Sequence, residues 1–213
     1  MNHVATDDEV AAEGRRERNK VSKRRRIEEA ATELFTEQGF ESTTTAAIAK
    51  RAGIGAGTLY LYVDSKDDLL VEVFRQQVGP VWEEAFAMVD RDRPVLDQLI
   101  SVFNHVAEFH EHDTNLSRAF FKNLRFVASP VIDGAEEFVR RHGAQLTELL
   151  ERAQADGRLD PDVSAVDLAD NLYALWTTLM SRRYAGRRTW DQYLVEIDRS
   201  LRTCLFRLQP ADT

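Results

Sequence analysis

Residues 39–66 read GFESTTTAAIAKRAGIGAGTLYLYVDSK, and the punctuation of this stretch decides how the rest of the chain is read. Gly39 stands where a preceding helix closes with a left-handed residue. Ser42, Thr43 and Thr44 each offer a hydroxyl that caps the free N–H groups of a helix expected over 45–51. Ala52-Gly53-Ile54 turns the chain, and a second short helix is expected over 56–63. Isolated helices below about 12 to 15 residues are marginal in water, so these two must pack on each other. Ile48, Ala49, Ile54 and Leu59 supply the shared seam, in which Ala49 permits a close crossing and Gly53 turns without a Cβ clash. The product is a helix-turn-helix over 44–63, the arrangement that offers its second helix to a DNA major groove.

Upstream, Ile27, Ala30, Ala31, Leu34 and Phe35 recur at helical spacing and predict a first helix over 21–38. Residues 1–13 are small, polar and acidic without apolar periodicity, so 1–20 is expected to be a disordered leader and basic arm. From Arg15 to Arg26, eight of twelve residues are Lys or Arg. The formal net charge of -8 argues against a polyanionic partner, but the distribution reverses it. From Gly14 to Lys66 there are eleven basic residues against seven acidic, and from Asp67 onward seventeen against twenty-five. Positive charge collects at the end that carries the helix-turn-helix.

The matched positions Gly39 to Thr44, Ile48-Ala49, Ala52-Gly53-Ile54, Gly57 to Tyr62 and Ser65-Lys66 resemble the TetR-family DNA-binding domain, over roughly residues 21–81. The resemblance implies that Thr44, Tyr60, Tyr62 and Lys66 hold the phosphate backbone and that 56–60 face the groove, so that Ala56, Gly57 and Thr58 meet the bases. Gly55 stands where the family commonly has a serine or threonine cap, and Val63 where phenylalanine is usual. Gly55-Ala56-Gly57 leaves the tip of the groove helix nearly bare. Base readout is therefore expected to be sparse, supplemented by Arg24, Arg25 and Arg26 acting as an arm in the minor groove. The resemblance also implies a homodimer, a double-stranded DNA operator and a small, largely apolar effector, with repression as the usual mode.

The fold class expected is all-α, with the helix-turn-helix domain over 21–81 and a larger helical effector-binding and dimerisation domain over 82–213. Its helices are expected at 66–90, kinked or broken by Gly79-Pro80, and at 94–111, 114–127, 131–155, 163–185 and 190–208. Leu168, Leu172, Leu175 and Leu179, with Tyr193, Ile197, Leu201, Leu205 and Leu208, form stripes on the last two helices that are expected to pair with a second copy. Trp82, Phe86, Phe103, His105, Phe109, Phe120, Phe121, Phe126, Phe138 and Trp176 are the candidate effector-pocket residues, with Asn104 and Arg118 as polar companions.

Other classes find little support. There is no phosphate-cradling glycine loop after a strand, no HExxH, GxSxG or CxxC, and no metal or cofactor is expected. His105, His110 and His112 lack metal-ligand spacing. The single cysteine, Cys204, forms no internal disulfide and is expected to be a small buried hydrophobe. No apolar run suits a membrane span or signal peptide, which places the protein in the cytoplasm. The main alternative is an architectural or partner-sensing DNA binder without an effector, which would show a filled core where a sensor shows a partly apolar cavity of a few hundred Å³. A third, a helical enzyme with a borrowed reader, would need perturbed acid or base groups facing that cavity.

Overall fold

The computed structural model describes residues 7–123 and 131–206. Among them are nine α-helices and no strand, the all-α architecture expected from the periodicity. No helix among the described residues is long and apolar enough to cross a membrane. The chain divides into two compact units between Val73 and Phe74, some eight residues before the expected boundary. Phe74 belongs to the second unit because its ring stacks on Phe120 there, with centroids 3.5 Å apart.

The first unit holds α1 (Asp7–Gln38), α2 (Thr45–Arg51), α3 (Ala56–Leu59) and the start of α4 (Lys66–Ala87). α1 begins fourteen residues before the expected start, so residues 7–20 are helix and not a disordered arm. They contain one glycine and no proline, and alanine, glutamate, lysine and arginine favour helix without an apolar stripe to announce it. Ile27, Ala31, Leu34 and Phe35 are buried along one face, with Ile48, Ala49 and Leu59 from α2 and α3. Ile54, assigned to the same seam, is only half-buried.

Two glycines make these joints possible. Gly39 has φ 81° and closes α1, its N–H donating to the Phe35 carbonyl at 3.1 Å. Gly53 has φ 67°, and the following Ile54 N–H reaches back to the Ala49 carbonyl at 2.9 Å, the back-bonding that closes a helix C-terminus. The α3 region is shorter than expected: four α-helical residues, then tighter turns in which Leu61 and Tyr62 N–H groups donate to Thr58 and Leu59 carbonyls.

The second unit holds the rest of α4, α5 (Val95–His112), α6 (Thr114–Asn123), α7 (Val131–Ala155), α8 (Ala165–Tyr184) and α9 (Trp190–Leu205). α4 continues through Pro80 and is not broken there; only the bond that an N–H would have made is lost. α8 is the centre, packing against α6, α7 and α9, while α5 packs on α9. Ser164 caps α8, and Thr189 with Gln192 forms a reciprocal capping box at α9, so both helices start at fixed positions.

The stripes assigned to a second copy lie inside the single chain. Leu168, Leu172 and Leu179 on α8, and Tyr193, Ile197, Leu201 and Leu205 on α9, are all buried in it, and Leu175 is half-buried. Two amphipathic helices that face each other and α5 consume these stripes as core. Periodicity marks a buried face without saying which molecule buries it. The outward faces carry Val166 on α8 and Val195 on α9, 55% and 66% exposed, and Phe206 just beyond α9, 80% exposed. Cys204 is exposed, not buried, and Leu208 lies outside the described residues.

Candidate nucleic-acid interface and ligand cavity

Thr44 is the cap of α2, its hydroxyl accepting from the Ala47 N–H at 3.1 Å. The neighbouring Thr43, one of three cap candidates, does something else. It is buried, with Oγ1 3.2 Å from the Leu34 carbonyl and 2.8 Å from the Gly39 carbonyl, while Gln38 donates to it. It locks the C-terminus of α1 to the start of α2. Lys66 spans the same joint: Nζ donates to the carbonyls of Phe40 at 2.8 Å and Thr43 at 3.0 Å and sits 4.2 Å from the centre of the Phe40 ring. An ammonium has three donors, so these two bonds leave a third donor unspent.

Tyr60 is exposed and shares a hydrogen bond with Thr45, hydroxyl to hydroxyl, at 3.0 Å. Thr45 was not singled out in the sequence; its partner is fifteen residues away and only folding brings them together. Ala56 and Gly57 are exposed, Thr58 and Tyr62 half-buried. Leu61, 78% exposed, adds an apolar group to the same tip, a form of group that suits a thymine methyl.

Arg24, Arg25 and Arg26 are exposed, but they lie on α1 and form no separate arm. Arg24 pairs with Glu28 at 2.9 Å and Arg25 with Glu29 at 3.5 Å, and the Arg26 guanidinium lies 3.6 Å from where a Cβ on Gly53 would stand. Arg51 ties α2 to α1 through Glu33 at 2.7 Å and Glu37 at 3.0 Å. Those hydrogen bonds raise the Arg51 pKa and lower that of Glu37.

In the second unit the structure gathers Trp82, Phe103, Phe121 and Trp176 into one aromatic interior, with ring centroids 5.0 to 6.4 Å apart. Phe120 joins through Phe74, Phe109 through His110, Phe86 through Trp82, and Phe138 through His142. His105 is not part of it; its Nε2 faces Glu84 at 3.7 Å. Arg118 is exposed, Asn104 has a buried Oδ1 without a partner, and Phe126 lies outside the described residues.

The sequence reading missed His110, His142, Tyr173 and Tyr184 as members. His110 lies among Phe74, Phe109, Phe121, Trp176 and Tyr184 with Nδ1 3.2 Å from the Ser117 hydroxyl. Burial pushes its pKa down to about 3, so it is neutral. Its Nε2 is buried without a hydrogen-bond partner, while the Trp176 Nε1 is directed at the Tyr193 hydroxyl without a well-formed bond. Orphaned polar atoms in an apolar interior are costly. Beside His110, Glu111 accepts from Arg183 at 2.7 Å and from the Tyr184 hydroxyl at 3.0 Å.

Besides a cavity of about 220 Å³ beside Phe86, Arg91 and Arg152, two larger ones open on the rim of this interior. One, of about 310 Å³, lies between α4 and α7 and is lined by Arg75, Gly79, Pro80, Glu83, Phe138, Arg141 and His142 among others. The other, of about 390 Å³, lies at the ends of α6 and α8, beside Phe121, Lys122, Arg182 and Arg187. No group of His, Cys, Asp and Glu among the described residues could hold a metal ion.

Residues 27–73 match the profile of the family described as bacterial regulatory proteins, tetR family. The chain is 29% identical over 100 residues to the fatty acid metabolism regulator protein of Bacillus subtilis, a match covering 47% of this chain and 52% of that protein, so it spans about half of that relative. It is 26% identical over 149 residues to the HTH-type transcriptional repressor KstR2 of Mycolicibacterium smegmatis, covering 70% and 72%. Its fold is similar to that of Thermus thermophilus FadR, a TetR-family transcriptional repressor solved in complex with lauroyl-CoA: TM-score 0.74, 27% identity, 89% of this chain and 99% of that one.

Proposed function

Because the chain belongs to the TetR family of bacterial transcriptional regulators, with the first unit as its DNA reader, we propose that it is a dimeric repressor whose second unit senses a long acyl chain. Its operator is a palindrome bound by two readers, and filling the second unit releases it. Both the Bacillus subtilis relative and the Thermus thermophilus neighbour are named for fatty-acid regulation or were solved with an acyl-CoA.

The observation that carries the reading is the aromatic interior with an orphaned polar atom sealed in it, Nε2 of His110. On this reading an apolar chain enters by parting the packed rings of Trp82, Phe103, Phe121 and Trp176, and a carbonyl on it accepts from His110 in its Nε2–H tautomer. The tight ring contacts, such as Phe74 on Phe120, favour the alternative of a DNA binder without an effector, since a filled core needs no ligand. The orphaned His110 Nε2 favours the sensor, because a ligand carbonyl would supply the bond it lacks.

Dimerisation is assigned to the outward faces of α8 and α9, around Val166, Val195 and Phe206. Phosphate contacts fall to Thr44, Tyr60, Tyr62 and Lys66, and base contacts to Ala56, Gly57 and Thr58. The test has two stages. Selection from a random duplex pool at near-physiological salt should enrich a palindrome. Laurate or lauroyl-CoA should then release the protein from that palindrome. Enrichment without release by either compound would leave a regulator with no acyl effector.

A further inference from the structure

Resting on the first unit as the DNA reader, we infer that Leu61 is a specificity-determining side chain, that it reads the C5-methyl group of a pyrimidine in the major groove, and that thymine and 5-methylcytosine are therefore equivalent to it. Backbone turns carry the course of α3 beyond Leu59: the Leu61 N–H donates to the Thr58 carbonyl at 3.1 Å and the Tyr62 N–H to the Leu59 carbonyl at 2.9 Å. Ala56, Gly57, Tyr60 and Leu61, at spacing i, i+1, i+4 and i+5, share one side of this segment. All four are exposed, whereas Leu59 is sealed in the core. A Cβ on Gly57 would meet nothing within 4 Å, so no other part of the chain covers this side there.

What this side offers is apolar. Leu61 is 78% exposed, and Ala56 contributes a methyl. The one polar side chain among these four residues is Tyr60, whose hydroxyl is already shared with Thr45 at 3.0 Å. Thr58 beside it is half-buried, with Oγ1 3.6 Å from where a Cβ on Gly55 would stand, back toward the start of the helix. The major groove distinguishes base pairs by donors, acceptors and one apolar feature, the thymine methyl. A side so poor in polar groups reads chiefly the last. Thymine presents an acceptor at C4 and a methyl at C5, where cytosine presents a donor and a hydrogen. Methylation at C5 gives cytosine that methyl, and a leucine is indifferent to the difference at C4.

An exposed leucine alone is ordinary on a protein surface. Leu61 is set apart by its place. Its neighbours Tyr60 and Tyr62 are assigned to phosphates, so a duplex that reaches both brings base edges toward the residue between them. The turn bonds fix its backbone before DNA arrives, so little ordering is lost on contact.

The experiment uses the full chain and the palindrome recovered from the random duplex pool. Each thymine is replaced in turn by uracil, which removes the methyl alone, and affinity is read by fluorescence anisotropy. At one thymine per half-site the wild type should lose about fourfold for each methyl removed, the worth of one buried methyl. With a G·C pair placed there instead, 5-methylcytosine should bind about fourfold more tightly than cytosine. Leu61→Ala should bind thymine and uracil duplexes equally, with the salt slope of the wild type because no phosphate contact is lost. Its helical content should match the wild type's, since the side chain is exposed. A penalty for uracil that persists in Leu61→Ala would place methyl reading elsewhere and overturn the inference. A wild type indifferent to uracil at every position, or a palindrome without thymine in its half-sites, would also overturn it while leaving a sequence-specific DNA reader in place. Selection that enriches no palindrome would remove that reader and the inference with it.

Discussion

Lowering the pH from 7.5 to 5.5 should cost the second unit about 1.4 kcal/mol through one side chain, His110. The ring is walled by five aromatic residues and bonded only to the Ser117 hydroxyl, and burial holds its pKa at about 3 against an ordinary value of 6.5. The folded pKa is depressed, so the folded state refuses the proton that the unfolded state accepts. Stability is therefore complete above pH 6.5 and falls as pH drops from there toward 3. One pH unit below 6.5 the unfolded histidine is protonated about ten to one, which is a tenfold bias toward unfolding. Urea melts at pH 7.5, 6.5 and 5.5 would read this while staying above the isoelectric point near 5.2. The control is His110→Phe, which keeps an aromatic ring in place. Its absolute stability is not the readout; its loss between pH 7.5 and 5.5 should be smaller than that of the wild type by about the stated amount. Equal losses in the two proteins would refute the reasoning and mean that His110 reaches water or a carboxylate.

Three further outcomes are expected. Lys66→Met keeps an aliphatic stem over Phe40 but strips donors from two carbonyls, so the urea midpoint should fall by an amount equivalent to about 2 kcal/mol, with operator affinity falling too. Replacing Arg24, Arg25 and Arg26 with alanine should reduce the salt dependence of DNA binding by about one phosphate contact for each arginine that touches the backbone; an unchanged slope would show that their pairing with Glu28 and Glu29 keeps them off the DNA. Val195→Glu should convert a dimer to monomer in sedimentation with helical content intact, whereas Leu201→Ala, buried in the core, should cost about 2 to 5 kcal/mol of stability.

The reader was legible because its signals are local. Caps, a turn glycine and a four-residue seam are decided within a dozen residues, and Gly39, Thr44, Gly53 and Leu59 occupy the places their chemistry predicts. The start of α1 was not, because residues 7–20 form helix by propensity without an apolar face. The interior was half legible. Aromatic residues mark a core, but which rings meet depends on helix crossings that no single helix encodes. The same holds for His110 and His142: a histidine among polar neighbours in sequence gives no sign that its ring will be sealed among aromatics contributed from other helices. The stripes on α8 and α9 lie buried within one chain for a related reason, since the two helices turn these apolar faces toward each other and toward α5.

The bare tip of α3 has a consequence for the genome that this protein surveys. On the proposed binding mode, a groove helix presenting Ala56, Gly57 and a half-buried Thr58 distinguishes few bases, so each half-site conveys little information. Sites then have to be told apart by the spacing of two half-sites and by how readily the intervening duplex deforms. Its operators should accordingly be long, loosely written palindromes, recognisable by symmetry and stiffness more than by any invariant letter, and searches built on a short strict motif would overlook most of them.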